Sequence, residues 1–400
     1  MKHSYSYKKS LETMKKQPDP NSYITLTAMS LVNSCGAASL LLAPVMVGGL
    51  VTTLDFSSQQ AGYVISAELA GLGLAAVPAA LWMKRFNWQH VLYAMLAVML
   101  VANLLTSTLT DYSAFLVVRF FAGFAAGLTL AVSMSVIHLT RDPDRCLGYW
   151  FSLQLLLTVV GLALLPGFIS KFGIGVVYAL LAAIQFVLLM GVRLVPASGP
   201  AGQATVAFGT GKPILLLALL GFTSIFMFEL AVMGLWTYYE RIGDAAGLPG
   251  QKIANALSIG AFVGFLGSLS AAALTTRFGR LIPIAFGMGL GIFAILILRT
   301  EFSIIMFVVS ASAFNFAWYF LLPYLMAAIA NIDDSGRLLI FVNFITGIGL
   351  TAGPALAAKL QTEDSYEPVI WMGVITLVLS FLLMIRLAIQ PIRTSPQQGV

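Results

Sequence analysis

Three strongly ionisable side chains lie well inside long apolar runs of this sequence: Glu68, Arg119 and Glu229. A charge in such surroundings is costly, so residues of this kind face a cavity or a counter-charge. Glu68, Gly71, Ala75 and Ala79 recur on one helical face, and Arg119, Ala122, Gly123 and Ala126 form a second stripe of the same kind. Small-residue stripes let helices approach closely, so the pattern pairs Glu68 with Arg119. The pair reads either as a static bridge or as a proton-responsive couple, because burial and a neighbouring guanidinium act oppositely on a carboxyl. Glu229 has no basic residue near it and shares a face with Phe222, Ile225, Phe226 and Trp236. A lone carboxyl on an aromatic wall suits proton exchange or solute contact, against a plain hydrogen-bonded packing role. Counted along their segments at about 1.5 Å per residue, all three lie about 10–15 Å below one surface.

Further polar groups occupy apolar segments. Asn33 and Asn343 are isolated amides, and Asn315, Trp318 and Tyr319 share a face. Buried amides need partners, but aromatic walls with a few polar groups also describe a pocket for an amphipathic solute. Cys35 and Cys146 make neither a metal-type pair nor a disulfide framework, and His90 and His138 have no nucleophile or ligand partner in sequence. Gly287–Gly291 lacks the strand–turn–helix context of a nucleotide loop, and no Gly-Lys-Ser/Thr motif occurs. The expectation is therefore no enzyme, no cofactor, no metal and no direct use of ATP.

The elements that must hold these residues follow from composition. Of 400 residues, 59% are hydrophobic and only 10% charged, and mean hydropathy is +0.92. Soluble domains carry about 25% charged residues, so a water-soluble enzyme is excluded, and outer-membrane barrels give much weaker hydropathy. Apolar segments fall near 23–50, 61–82, 91–110, 113–138, 147–169, 174–195, 213–239, 253–274, 281–298, 303–330, 338–358 and 369–389. The first is too long for a signal-peptide core. Twelve transmembrane helices would put both termini on one side. That side carries sixteen Lys and Arg against five on the other, so both termini are expected in the cytoplasm. The surplus of basic residues thus reports membrane orientation and not nucleic-acid binding. The partners expected are the lipid bilayer, a small-molecule substrate and protons, in a monomer of the inner or plasma membrane.

The chain also repeats itself. Residues 1–22 form a polar tail, 23–195 one six-helix bundle, 196–212 a linker, 213–389 a second bundle and 390–400 a closing tail. Offset by 192 residues, Gln59, Ser66, Ala79, Arg85 and Phe86 fall on Gln251, Ser258, Ala271, Arg277 and Phe278. Offset by 188, Gly148, Gly161 and Pro166 fall on Gly336, Gly349 and Pro354. Six-plus-six pseudo-symmetry is the mark of a transporter built from repeats.

Here the chain resembles the major facilitator superfamily along nearly its whole length. Arg119-x-x-x-Gly123-x-x-x-Gly127 is similar to the family's Arg-Gly pattern in helix four. Gly161 with Pro166, and Gly349 with Gly353 and Pro354, look like its patterns in helices five and eleven. Lys84–Trp88 and Thr276–Arg280 look like its basic loops, but the family's loop Asp is absent. The resemblance implies an all-α integral membrane protein of two pseudo-symmetric bundles, with a cavity lined by helices one, four, seven and ten. It also implies a cytoplasmic gate in which Lys84 and Arg85 oppose Asp333 and Asp334, and Arg277 and Arg280 oppose Asp142 and Asp144. The same acids could simply cap helix N-termini. The implied activity is proton-coupled transport of a small organic solute by alternating access. The rivals are an uncoupled uniporter and a non-transporting receptor.

Overall fold

The computed structural model describes residues 18–75, 86–137, 139–198, 212–274, 277–299, 301–332, 337–362 and 365–390. Chain that crosses a bilayer must satisfy its own amides, which favours helices throughout. The first apolar run, expected as one span, is instead broken into α1 (Tyr23–Gly36), α2 (Ala38–Leu41) and α3 (Ala43–Leu54). Pro44 explains the second break. It has no N–H for the carbonyl one turn back, yet it fits the first turn of α3.

The remaining helices occupy the other apolar segments: α4 (Ser58–Leu74), α5 (Trp88–Thr106), α6 (Tyr112–Ile137), α7 (Pro143–Phe172), α8 (Gly175–Gly191), α9 (Lys212–Ala245), α10 (Gly250–Leu274), α11 (Leu281–Ile297), α12 (Ile304–Ala330), α13 (Arg337–Leu360) and α14 (Glu367–Ala388). Their starts carry local chemistry. Ser57 and Gln60 form a capping box at α4, and Asn87, Asp142 and Ser303 accept from backbone N–H groups at α5, α7 and α12. Among the described residues, nine helices are long and apolar enough to cross a membrane.

Helix ends define two faces. Asn21 accepts from the Arg141 amide at 2.8 Å, Thr25 donates to the Leu194 carbonyl, and Gln89 donates to that of Val195. With Arg280 and Asn331 these mark the terminal face. On the opposite face the Ile174 amide donates to Thr53, Phe56 packs on Tyr112, and Arg299 meets Glu367 at 3.1 Å.

The halves α1–α8 and α9–α14 meet along a seam of α4 on α13, α7 on α10 and α3 on α9. Hydrogen bonds crossing it among the described residues involve Leu41, Ser58, Ser66, Val159 and Ala163 on one side. All lie between mid-depth and the opposite face. Toward the terminal face none of these bonds crosses the seam; a side chain at Gly148 would meet no atom within 4 Å, and Phe341, Asn343 and Phe344 are exposed.

Candidate functional site

The first group of chemistry-bearing residues assembles inside the N-terminal half. The small-residue stripes of α4 and α6 bring the two backbones together, and at their crossing Arg119 grips Glu68 with two nitrogens. Nε donates to Oε2 at 3.0 Å and Nη2 donates to Oε1. The pair is buried, Arg119 to 2% exposure and Glu68 to 6%. Nη1 donates to Asn103 Oδ1 at 2.7 Å and reaches Thr106 Oγ1 at 3.4 Å. Asn103 in turn donates to Gln185 Oε1 at 2.9 Å, and the guanidinium lies 4.8 Å from the ring centre of Tyr178. The edge of the guanidinium is thus held by α4 and α5, and one of its faces lies against Tyr178 of α8. Bidentate pairing of this kind is the strong form of an ion pair.

Sequence reasoning found the pair but missed Asn103, Thr106, Gln185 and Tyr178. A signal for two of them exists. Asn103 stands near the end of an otherwise apolar α5, and Gln185 is the one amide in α8.

Glu229 behaves differently. It is 1% exposed, and its Oε2 has no hydrogen-bond partner. Its Cβ and the Phe226 carbonyl back onto Gly349 of α13, and Tyr319 lies within electrostatic range of the carboxyl. α9 runs to Ala245, six residues beyond the expected end of the segment, because Tyr238, Tyr239 and Ile242 are buried there. The longer helix leaves the depth of Glu229 where it was expected: its contact Gly349 lies between Thr351, which is level with Ser66, and Gly347, which is level with Gly73, so Glu229 stands at about the depth of Glu68.

Around it stand aromatics from α9 and α12. Trp236 packs on Trp318 with ring centres 6.4 Å apart, and Trp318 stacks on Tyr319 at 5.2 Å. Trp236 Nε1 also donates to the Leu41 carbonyl at 3.3 Å, just before the break between α2 and α3. The amides divide. Asn315 donates back to the Ala311 carbonyl at 2.9 Å, as packing alone would have it. Asn33 is 2% exposed, with both side-chain amide atoms unpartnered. Asn343 is exposed.

The glycines and prolines of the family-like patterns sit at close approaches. Gly123 and Gly127 press on the Glu68 and Leu72 carbonyls, Gly161 on Leu42, and Gly353 on the Leu230 carbonyl. Pro166 and Pro354 lie inside α7 and α13.

Of the gate residues, Lys84, Arg85, Asp333 and Asp334 lie outside the described residues, as does the side chain of Asp144. Asp142 accepts from the Arg145 amide at 3.0 Å, the capping role, and Arg280 donates to Asn331 at 3.3 Å. No ion pair joins Asp142 to Arg277 or Arg280 among the described residues. A separate cavity of about 290 Å³ opens near the opposite face between α3, α7, α9 and α10, lined in part by Gly48, Thr52, Ser170 and Glu240.

Two helical halves meeting along a seam, with ionisable groups buried at depth, define the class of membrane transporters built from repeats. A model of the Major Facilitator Superfamily matches residues 26–332, and the chain belongs to that family. The fold is shared with the nucleoside transporter NupG, at TM-score 0.69 and 16% identity over 90% of this chain and 97% of that one. It is shared equally with an auto-inhibited POT family peptide transporter, at TM-score 0.70 and 11% identity over 94% and 98%. A bacterial homolog of the human lysosomal transporter Spinster, in an inward-facing and occupied conformation, matches at 0.65 and 15% over 92% and 97%. No curated protein sequence matches the chain.

Proposed function

We propose that this protein is a proton-coupled secondary transporter that moves a small organic solute across the inner or plasma membrane. In this reading it has twelve crossings, bundles at 23–195 and 213–389, and both termini in the cytoplasm. It works as a monomer by alternating access. Glu229 carries the reading. A carboxyl at mid-bundle with a free oxygen and no counter-charge can change protonation when the solute or the opposite half moves against it. Glu68 and Arg119 serve as the fixed bridge of the N-terminal half, since all three guanidinium nitrogens already donate to side chains of that half. Trp236, Trp318 and Tyr319 supply the apolar wall of the solute site, with Asn33, Asn315 and Asn343 as candidate polar contacts.

A thermal-shift screen of organic solutes on the purified protein, run at two pH values, identifies the substrate. With that solute, Glu229→Gln should retain the parent unfolding temperature and lose accumulation driven by a pH gradient in proteoliposomes. Accumulation equal to the parent's would leave uncoupled uniport as the better reading.

The cytoplasmic gate belongs to the same proposal. In this reading the pairs of Lys84 and Arg85 with Asp333 and Asp334, and of Arg277 and Arg280 with Asp142 and Asp144, form in the state that closes the terminal face. Exposed pairs contribute only about 0–1 kcal/mol each, which suffices to tilt states a few kcal/mol apart. Replacing Asp333 and Asp334 by Asn should raise cysteine accessibility on the terminal face while moving thermal stability little. Unchanged accessibility would reduce these acids to helix caps.

A further inference from the structure

Two hydrogen bonds in the seam come from matching serines of the two halves. Ser66 Oγ in α4 donates to the Thr351 carbonyl of α13 at 2.8 Å, and Ser258 Oγ in α10 donates to the Val159 carbonyl of α7 at 2.8 Å. The two serines are 192 residues apart in the chain, and so are the two carbonyls. Each half therefore sends one hydroxyl into the backbone of the other; the serines are repeat mates, whereas by the 188-residue offset that relates α7 to α13 the carbonyls stand one helical turn out of register. Both serines lie eight residues into their helices from the opposite face, about 12 Å deep, and both are 7% exposed. The rungs nearer that face do not share the symmetry. Gln251 donates across to the Ala163 carbonyl, whereas its repeat mate Gln59 donates within its own helix to Tyr63.

We propose that Ser66 and Ser258 form a paired latch that holds the opposite face shut and lets it open at low cost. The chemistry suits a latch. A helical carbonyl that already accepts one helix N–H keeps a second lone pair for a visiting hydroxyl. When the halves part, a helical serine can turn its hydroxyl to the carbonyl four residues back on its own helix. Other hydroxyls here do this, among them Thr52 to Gly48, Ser270 to Leu266 and Thr376 to Met372. Opening therefore exchanges the latch bond for a back-bond that slightly strains its own helix, so the closed state is favoured by a small margin and no buried donor is stranded. A salt bridge at the same depth would leave two desolvated charges on separation. The latch rests on the seam alone and stands whether or not Glu229 couples protons.

The test uses the full chain in nanodiscs, with Cys35 and Cys146 replaced and spin labels at Asp111→Cys and Ala246→Cys. These two exposed positions lie on the opposite face of different halves. Ser66→Ala and Ser258→Ala should each enlarge the long-distance, open population about twofold, and the double variant about fourfold, because each removes only the margin between the latch bond and the weaker back-bond that replaces it, a fraction of one ordinary hydrogen bond. Ser270→Ala, which loses only a bond within its own helix, should change nothing. A double variant with the parent's distance distribution, or a Ser270→Ala shift as large as the latch variants', overturns the proposal. If the double variant is unstable, the single variants against Ser270→Ala decide it in the same way.

Discussion

Arg119→Met is expected to cost on the order of 3–5 kcal/mol of stability, because it strands a buried carboxylate along with the Asn103 and Thr106 oxygens that now face the guanidinium. Glu68→Gln should cost a similar amount from the other side, leaving the guanidinium buried without its anion. The informative variant is the double one. With both charges gone the site holds only neutral groups, and its loss should fall well short of the summed single losses. Unfolding in detergent, followed by tryptophan fluorescence, gives the cycle. Additive losses would mean the pair contributes no coupling energy despite its geometry.

Gly123→Leu should be the most damaging substitution on the α4–α6 contact. A side chain there would run into the Glu68 carbonyl oxygen, and Gly71 meets the Phe120 carbonyl reciprocally. Backbone cannot rotate aside as a side chain can, so the helices must separate. Overpacking typically costs about 1–3 kcal/mol. Here the upper end is expected, with part of the ion-pair energy added, because the helices that separate are those carrying Glu68 and Arg119. Gly148→Leu is the matched control, since open space surrounds that position. Equal unfolding temperatures for the two variants would show that the close approach is not needed for stability.

These predictions show which features were legible in the sequence. Hydropathy located the helices because burying an amide in lipid leaves the chain no alternative to helix. The Glu68–Arg119 pair was legible because small-residue stripes declare which helix faces touch. The break in the first span was less so: Pro44 signals it, but an unbroken hydrophobic run masked the signal. The end of α9 was placed too early because the polar residues Glu240, Arg241 and Asp244 look like a loop. In the structure Arg241 and Asp244 pair at 2.6 Å on a continuing helix. Asn103 and Gln185 were missed because a single amide in an apolar helix says nothing about its partner two helices away. The seam is hardest to read, since its bonds run from hydroxyls to carbonyls and a backbone carbonyl leaves no mark on a sequence.

The enclosure of Arg119 has a consequence for which solutes can dwell in the protein. Its positive charge is spent inside the N-terminal half, and among the described residues no second Lys or Arg is buried in the middle of a helix. A carboxylate or phosphate entering the space beside Glu229 would shed its hydration shell and find no cation to replace it. That transfer is heavily unfavourable for an ion. On the proposed reading, with the solute site beside Glu229, anionic solutes are therefore expected to be the poorest ligands, and neutral or cationic ones the candidates for the aromatic wall to sort.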